Sequence, residues 1–302
     1  MYLKYYRIPL ILIVFMISAC GIQQTPVPRV ESPVPESSPT STQTSLPPTE
    51  TPIPMAVIIN GEGITLEEFN AELDRFLTAQ EGDSGIERQS AETIVLDDLI
   101  GQTLLSQGAD ENGFKLTEEM LSERIDNLIA EAGGEDAFNQ WLQANGYDQA
   151  SFRKDLERSI KAAWMRDQIL AEVPSVAKQV NLRQIFLLDA AQAQQVFQEL
   201  ESGTDFATLA AEYDPLTRGE IGWVPRDYLP HKIIEEAAFT LQPGEYSPVL
   251  ETTVGYHIIQ VTAIDEERRL SPDARLIWQE LALRDWVNQH REDSDIEILA
   301  LG

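Results

Sequence analysis

The chain has 302 residues, 43% of them hydrophobic, which is enough for two compact units with real cores. Its 50 acidic residues against 22 basic give a formal net charge of −28, a surface that repels nucleic acid and argues against it as a partner. A single cysteine, Cys20, excludes an intramolecular disulfide, so packing alone must hold the fold.

At the N-terminus, Lys4 and Arg7 precede an apolar stretch from Ile8 to Ile17, and Ile17-Ser18-Ala19-Cys20 closes it with small residues. The stretch falls short of the ~20 apolar residues of a membrane span and has signal-peptide anatomy. Its end resembles the bacterial lipobox, which implies cleavage before Cys20 and acylation of that cysteine. Residues 1–20 are thus expected to be a lipoprotein signal peptide. Of the 34 residues in 21–54, 9 are proline and 11 are serine or threonine, with no aromatic residue. Such a segment cannot bury enough surface to offset its ordering entropy. It reads as a disordered tether, stiffened by proline and spanning up to roughly 100 Å at ~3.1 Å per residue.

Folded sequence begins at Met55. Ala56 to Ile59 predicts a strand, Asn60-Gly61 a turn, and Thr65-Leu66-Glu67-Glu68 a capping box that opens a helix. Amphipathic helices follow, marked by Ile94, Leu99 and Leu104, by Leu121, Ile125 and Leu128, and by Phe152, Leu156, Ile160 and Trp164 at four-residue intervals. Residues 55–174 contain no histidine or cysteine, and their acids read as solvated helix faces. After Pro174 the pattern changes. Leu182 to Leu188 predicts a strand, and Ala193, Val196, Phe197 and Leu200 a helix. Phe206, Leu209 and Ala210 predict a shorter helix, and Val249 to Glu251 with His257 to Ala263 a β-hairpin. The result is a small α+β unit. A last helix around residues 273–291 carries Trp278, Ala282 and Trp286 and has no domain of its own to pack on.

Five blocks of the α+β unit resemble the parvulin (PpiC/rotamase) family of peptidyl-prolyl isomerases. They are Gly203-Thr204-Asp205-Phe206-Ala207-Thr208-Leu209-Ala210, Arg218-Gly219-Glu220-Ile221-Gly222-Trp223, Glu235-Glu236-Ala237-Ala238-Phe239, Pro243-Gly244-Glu245-Tyr246-Ser247-Pro248-Val249 and Gly255-Tyr256-His257-Ile258-Ile259. The preceding part, opening Ile59-Asn60-Gly61-Glu62-Gly63-Ile64-Thr65, resembles the N-terminal domain of SurA- and PrsA-type foldases. The resemblance implies an α+β parvulin domain, a small antiparallel sheet with surrounding helices at 175–266, inserted into a helical chaperone domain at 55–174. In that group the C-terminal segment, here 267–302, returns to complete the N-terminal domain.

A prolyl isomerase must lower a rotational barrier of about 18–20 kcal/mol, without a cofactor or covalent chemistry. The planar amide is more polar than its twisted form, so an apolar slot with a few directed polar groups favours the twist. The resemblance places His257 at the family's hairpin histidine and Leu229 where a slot methionine is usual. Ile233 or Ile234 stands where a phenylalanine often lines the slot, and Phe239 is the next aromatic in that wall. Two positions depart from the family. Gln184 replaces a second histidine and cannot titrate near neutrality. The loop 212–217 is shortened, with Asp214 at the acidic or cysteine position. Leu187-Leu188-Asp189-Ala190 offers no basic cluster for phosphorylated residues.

The expected function is an extracytoplasmic, lipid-anchored prolyl isomerase and chaperone acting on unfolded or proline-containing chains; the alternative is a catalytically inactive parvulin-fold holdase. No Gly-x-Ser-x-Gly appears, and His231, His257 and His290 lack metal-ligand spacing. Cys20→Ser is expected to release the protein from the membrane fraction or leave it unprocessed. Cell fractionation and the mass of the mature N-terminus check this, and unchanged processing with tight membrane association would contradict it.

Overall fold

A computed structural model describes residues 53–80 and 86–299; Cys20 and nearly all of the 21–54 tether lie outside the described residues. Strand β1 (Met55–Ile59) turns at Asn60 and Gly61 into strand β2 (Glu62–Thr65). These two residues have φ of 51° and 85°, the left-handed pair that a two-residue type I′ hairpin needs. Helix α1 (Leu66–Gln80) starts from a reciprocal cap. Glu68 N–H donates to Thr65 Oγ1 at 3.0 Å and Thr65 N–H to Glu68 Oε2 at 2.9 Å. Replacing such a cap with alanine typically costs about 1 kcal/mol.

Helices α2 (Arg88–Glu111), α3 (Glu118–Ala132), α4 (Glu135–Ala144) and α5 (Gln149–Glu172) follow. Thr117 caps α3 by accepting from Met120 N–H, and Asp148 with Ser151 forms a second capping box at α5. Val57, Ile59 and Ile64 of the hairpin share one core with Phe69 and Leu73 of α1 and Val95, Leu99 and Ile100 of α2. Full burial of each such side chain is worth about 1.5–3 kcal/mol. Phe138, Trp141, Tyr147 and Phe152 form a separate cluster where α4 meets α5.

The second unit is a four-stranded antiparallel sheet of order β4-β3-β6-β5. Its elements are β3 (Val176–Leu187), α6 (Ala190–Glu201), α7 (Phe206–Tyr213), β4 (Glu220–Pro225), α8 (Lys232–Ala238), β5 (Leu250–Thr252) and β6 (Gly255–Arg269). Strand alternation splits its side chains between two cores. Ile185, Leu187 and Ile258 face α6 and α7, whereas Val180, Leu182, Ile259 and Val261 face α8 and Leu250.

Helix α9 (Pro272–Asp293) and strand β7 (Ile296–Ile298) then return to the first unit. Strand β7 pairs antiparallel with β1, Val57 opposite Ile298 and Ile59 opposite Ile296. Trp286, Ala282 and Leu283 pack on Ala109, Met165 and Ile169. Trp278 leaves that group: its indole N–H donates to the Arg226 carbonyl of the sheet unit at 2.7 Å.

The structure adds elements that the sequence pattern did not mark, β2, α4, β4, α8 and β7, the last too short to show a period. Strands β3 and β6 extend beyond the expected 182–188 and 257–263. Val176 pairs with Arg269, three residues past the expected border at 266. Asp265 to Arg269 show no apolar alternation because this end of the two-stranded ribbon stands largely in solvent.

Two glycines of α2 face α9 with opposite consequences. A Cβ on Gly108 would meet the Trp286 ring at 2.7 Å, whereas one on Gly101 would touch Val287 at an ordinary 3.7 Å. Alanine in a helix gains about 0.8–1 kcal/mol over glycine, and overpacking costs typically 1–3 kcal/mol. Gly101→Ala should therefore raise the thermal midpoint and Gly108→Ala lower it, measured by circular dichroism. The same sign at both sites would contradict the packing described.

Candidate active site

The site forms where β3, β5 and β6 lie side by side. His257 pairs across the ladders with Phe186 on β3 and Leu250 on β5. Its ring points to the same face as Leu182, Ile259 and α8, and the residue is buried, 6% exposed. His257 Nδ1 lies 3.3 Å from Gln184 Oε1 and Nε2 lies 3.0 Å from Thr252 Oγ1. An amide oxygen only accepts, so Nδ1 carries the proton in this arrangement, and the single Thr252 hydroxyl proton is shared between His257 Nε2 and the Gly255 carbonyl at 3.1 Å. Phe186 packs against the imidazole at 4.9 Å between ring centroids, and His231, at the start of α8, stands 6.0 Å away.

Burial, and after it the charge of His231, holds the His257 pKa below its ordinary 6.5. Desolvation penalises the imidazolium, and a second imidazolium would repel it. His257 thus enters the site as a neutral ring held at both nitrogens, placed to fix the Gln184 and Thr252 side chains and poorly disposed to carry charge.

The apolar side of the site comes from the same sheet face. Leu229 and Phe239 pack partly buried against Ile234, Leu182 and Ile259. The Arg226 guanidinium covers the Phe239 ring at 4.1 Å. Of the two isoleucines, Ile234 is buried in that core, whereas Ile233 is exposed and lines an open hollow with His231 and Thr252. The loop carrying Leu229 is pinned by Glu235, whose buried carboxylate accepts Tyr228 N–H at 3.2 Å and Leu229 N–H at 3.4 Å.

Asp214 is occupied within its own loop. Its carboxylate accepts Leu216 N–H at 3.1 Å, Thr217 N–H at 3.0 Å and the Thr217 hydroxyl. That hydroxyl, then the backbone donors, holds its pKa below the usual carboxylate range. Among the described residues no hydrogen bond joins Asp214 to His257 or Gln184. The loop nevertheless reaches the site through Gly219. Gln184 N–H donates to Gly219 O at 2.8 Å. With φ of 70°, a Cβ on Gly219 would lie 2.0 Å from the Gln184 carbonyl oxygen. Only glycine fits there.

His257, Gln184, Leu229 and Phe239 thus share one face. Thr252, His231, Phe186, Glu235 and Arg226 were not among the expected site residues. Thr252 was readable in principle: a two-residue hairpin loop pairs it with Gly255, which sets it diagonal to His257. Among the described residues, no group of histidine, cysteine, aspartate and glutamate is arranged to hold a metal ion.

Residues 169–263 match the PPIC-type PPIASE domain, and residues 37–166 match the SurA-like N-terminal domain. The chain joins a SurA-like domain to a rotamase domain. Foldase protein PrsA of Geobacillus kaustophilus is 31% identical over 197 residues, 59% of this chain and 63% of that protein. Chaperone SurA of Methylobacillus flagellatus is 26% identical over 208 residues, 55% of this chain and 46% of that protein. The crystal structure of the peptidylprolyl isomerase PrsA from Bacillus cereus superposes with a TM-score of 0.42 at 23% identity, covering 79% of this chain and 86% of that one. The chain spans about half to just under two thirds of the length of these curated relatives.

A histidine whose folded-state pKa is depressed resists protonation that the unfolded chain accepts. Its contribution to stability is present above pH 6.5 and is lost as pH falls through the folded value. In the rotamase domain, NMR titration should place the His257 midpoint below 6.5, and His231→Ala should move it upward. A midpoint at or above 6.5, or no response to that substitution, would contradict the account of the site.

Proposed function

We propose that this protein is a peptidyl-prolyl cis-trans isomerase and chaperone for unfolded or proline-containing chains. It works on the extracytoplasmic face of the cell membrane, held there by a lipid on Cys20 at the end of its tether. In this reading the rotamase domain is inserted between the two parts of a helical chaperone domain. The observation that carries the proposal is the convergence of a fixed, neutral His257 with the apolar wall of Leu229 and Phe239 on one sheet face.

Binding a proline between these groups removes water from an amide whose planar form is the more polar one. The wall thereby raises the ground state relative to the twisted state. Gln184 and Thr252, both held by His257, offer hydrogen-bonding groups at its edge, and Ile233 and Phe186 extend the apolar contact outward. No proton has to move, so desolvation carries more of the rate than His257 does.

A holdase reading has its own support. Gln184 removes one titratable ring from the site. A separate groove between α3, α4 and α5 sets Ile125, Ile129, Phe138, Leu142 and Phe152 beside Glu135, Asn139, Gln149 and Arg153, a mixed apolar and polar surface away from the rotamase domain.

The deciding measurement is kcat/KM on short Ala-Pro and Leu-Pro peptides. The parent should turn over, Phe239→Ala should lose more activity than His257→Ala, and Gln184→His should gain. All variants need matching circular dichroism spectra. No turnover in the parent or in Gln184→His, with client aggregation still suppressed, would decide for the holdase.

A further inference from the structure

The rotamase domain meets the helical unit covalently at two places, residues 173–175 and residues 270–271. These crossings lie side by side, with Leu270 N–H donating to Ser175 O at 3.0 Å. Two adjacent crossings constrain the domain about as one hinge does. They fix where it is attached but not which way its face is turned.

A third tie stands apart from them. Trp278 lies in the second turn of α9 and donates its indole N–H to the Arg226 carbonyl at 2.7 Å. Among the described residues it is the one side-chain hydrogen bond between α9 and the rotamase domain. Its acceptor is no ordinary surface carbonyl. Arg226 directly follows β4 and opens the loop that carries Leu229 into the slot. The next residue, Asp227, takes a left-handed φ of 57°, so the chain turns sharply at the point of contact. Beyond the turn, Glu235 of α8 holds Tyr228 and Leu229 by their amides. Through its side chain, the same Arg226 covers Phe239, the aromatic of the slot wall. One residue therefore touches α9 through its carbonyl and the slot through its guanidinium.

We infer that Trp278 is a positioning residue for the proline slot, through which the C-terminal helix of the chaperone unit sets the placement of Leu229 and Phe239. The loop is clamped from two sides, by Glu235 within the domain and by Trp278 from outside it. Releasing the outer clamp frees Arg226 to swing, which withdraws cover from Phe239 and loosens Leu229. The kinetic consequence rests on the isomerase reading above; the structural one does not.

The test uses the full-length chain with Trp278→Phe, which keeps an aromatic ring and deletes the donor, and Trp278→Ala as the fuller loss. Amide hydrogen exchange at Tyr228 and Leu229 should speed by about tenfold or more in Trp278→Phe, while amides of α6 and α7 in the same domain keep their rates. KM for a Leu-Pro peptide should rise several-fold with kcat changed less. A residue that merely packs α9 would instead speed exchange within α9 and leave 226–229 as in the parent, and that result overturns the inference. Unchanged exchange at 226–229 with unchanged KM overturns it as well. If the parent shows no turnover, the isomerase reading fails, and the exchange measurement still decides whether Trp278 positions the loop.

Discussion

Backbone hydrogen bonds between β3 and β6 run from Val176 opposite Arg269 to Leu187 opposite Tyr256. At one end this ladder sets Gln184 and Phe186 against His257. At the other it brings the two chain crossings together, so that α5 and α9 leave the rotamase domain as neighbours and pack on each other through Met165, Ile169 and Trp286. A slip of one residue would turn His257 from the α8 face to the α6 face and reverse every side chain of the strand. Ile258 and Ile259, both fully buried but in opposite cores, make such a slip prohibitive. The register that protects the core is therefore the register that builds the site.

Electrostatics within the site runs opposite to that of the whole molecule. A chain of net charge −28 would be expected to raise histidine pKa values, yet His257 is shifted down. Local desolvation and a nearby imidazole outweigh a distant acidic field, which salt screens over roughly 8–10 Å. Under the proposed isomerase reading, a neutral ring suits a reaction in which no proton moves. It holds Gln184 and Thr252 in place without bringing a full charge, and its water, to the apolar wall. Asp214 belongs to the scaffold by geometry. Its carboxylate closes the loop that presents Gly219 to Gln184.

The helical unit and the rotamase domain differ in how they are joined to themselves. Helices α1, α3 and α5 are capped locally by Thr65, Thr117 and Asp148, whereas α2 and α4 start without a side-chain cap. Completion of the unit waits for the far end of the chain. Strand β7 supplies the second partner of β1, and Trp286 covers Gly108. Arg291 adds an ion pair to Asp97 at 2.8 Å, though an exposed pair of this kind contributes little. The hairpin of the helical unit thus takes its second partner strand from a segment more than 200 residues distant in sequence.

Features set by near neighbours were legible in the amino-acid order. The Asn60-Gly61 turn, the Thr65 capping box and the four-residue spacing of α5 each follow from bonds closed within a few residues, and each was readable. The five parvulin-like blocks were readable for the same reason, as local stretches with fixed spacing. Tertiary structure alone decided the pairing of β1 with β7, the extension of the ribbon to Arg269, the approach of His231 to His257, and the departure of Trp278 from its neighbours on α9. A three-residue strand has no period. A solvated ribbon has no apolar alternation. The sequence by itself says that Trp278 must be covered; which surface covers it depends on where the closed chain brings Arg226, 52 residues away.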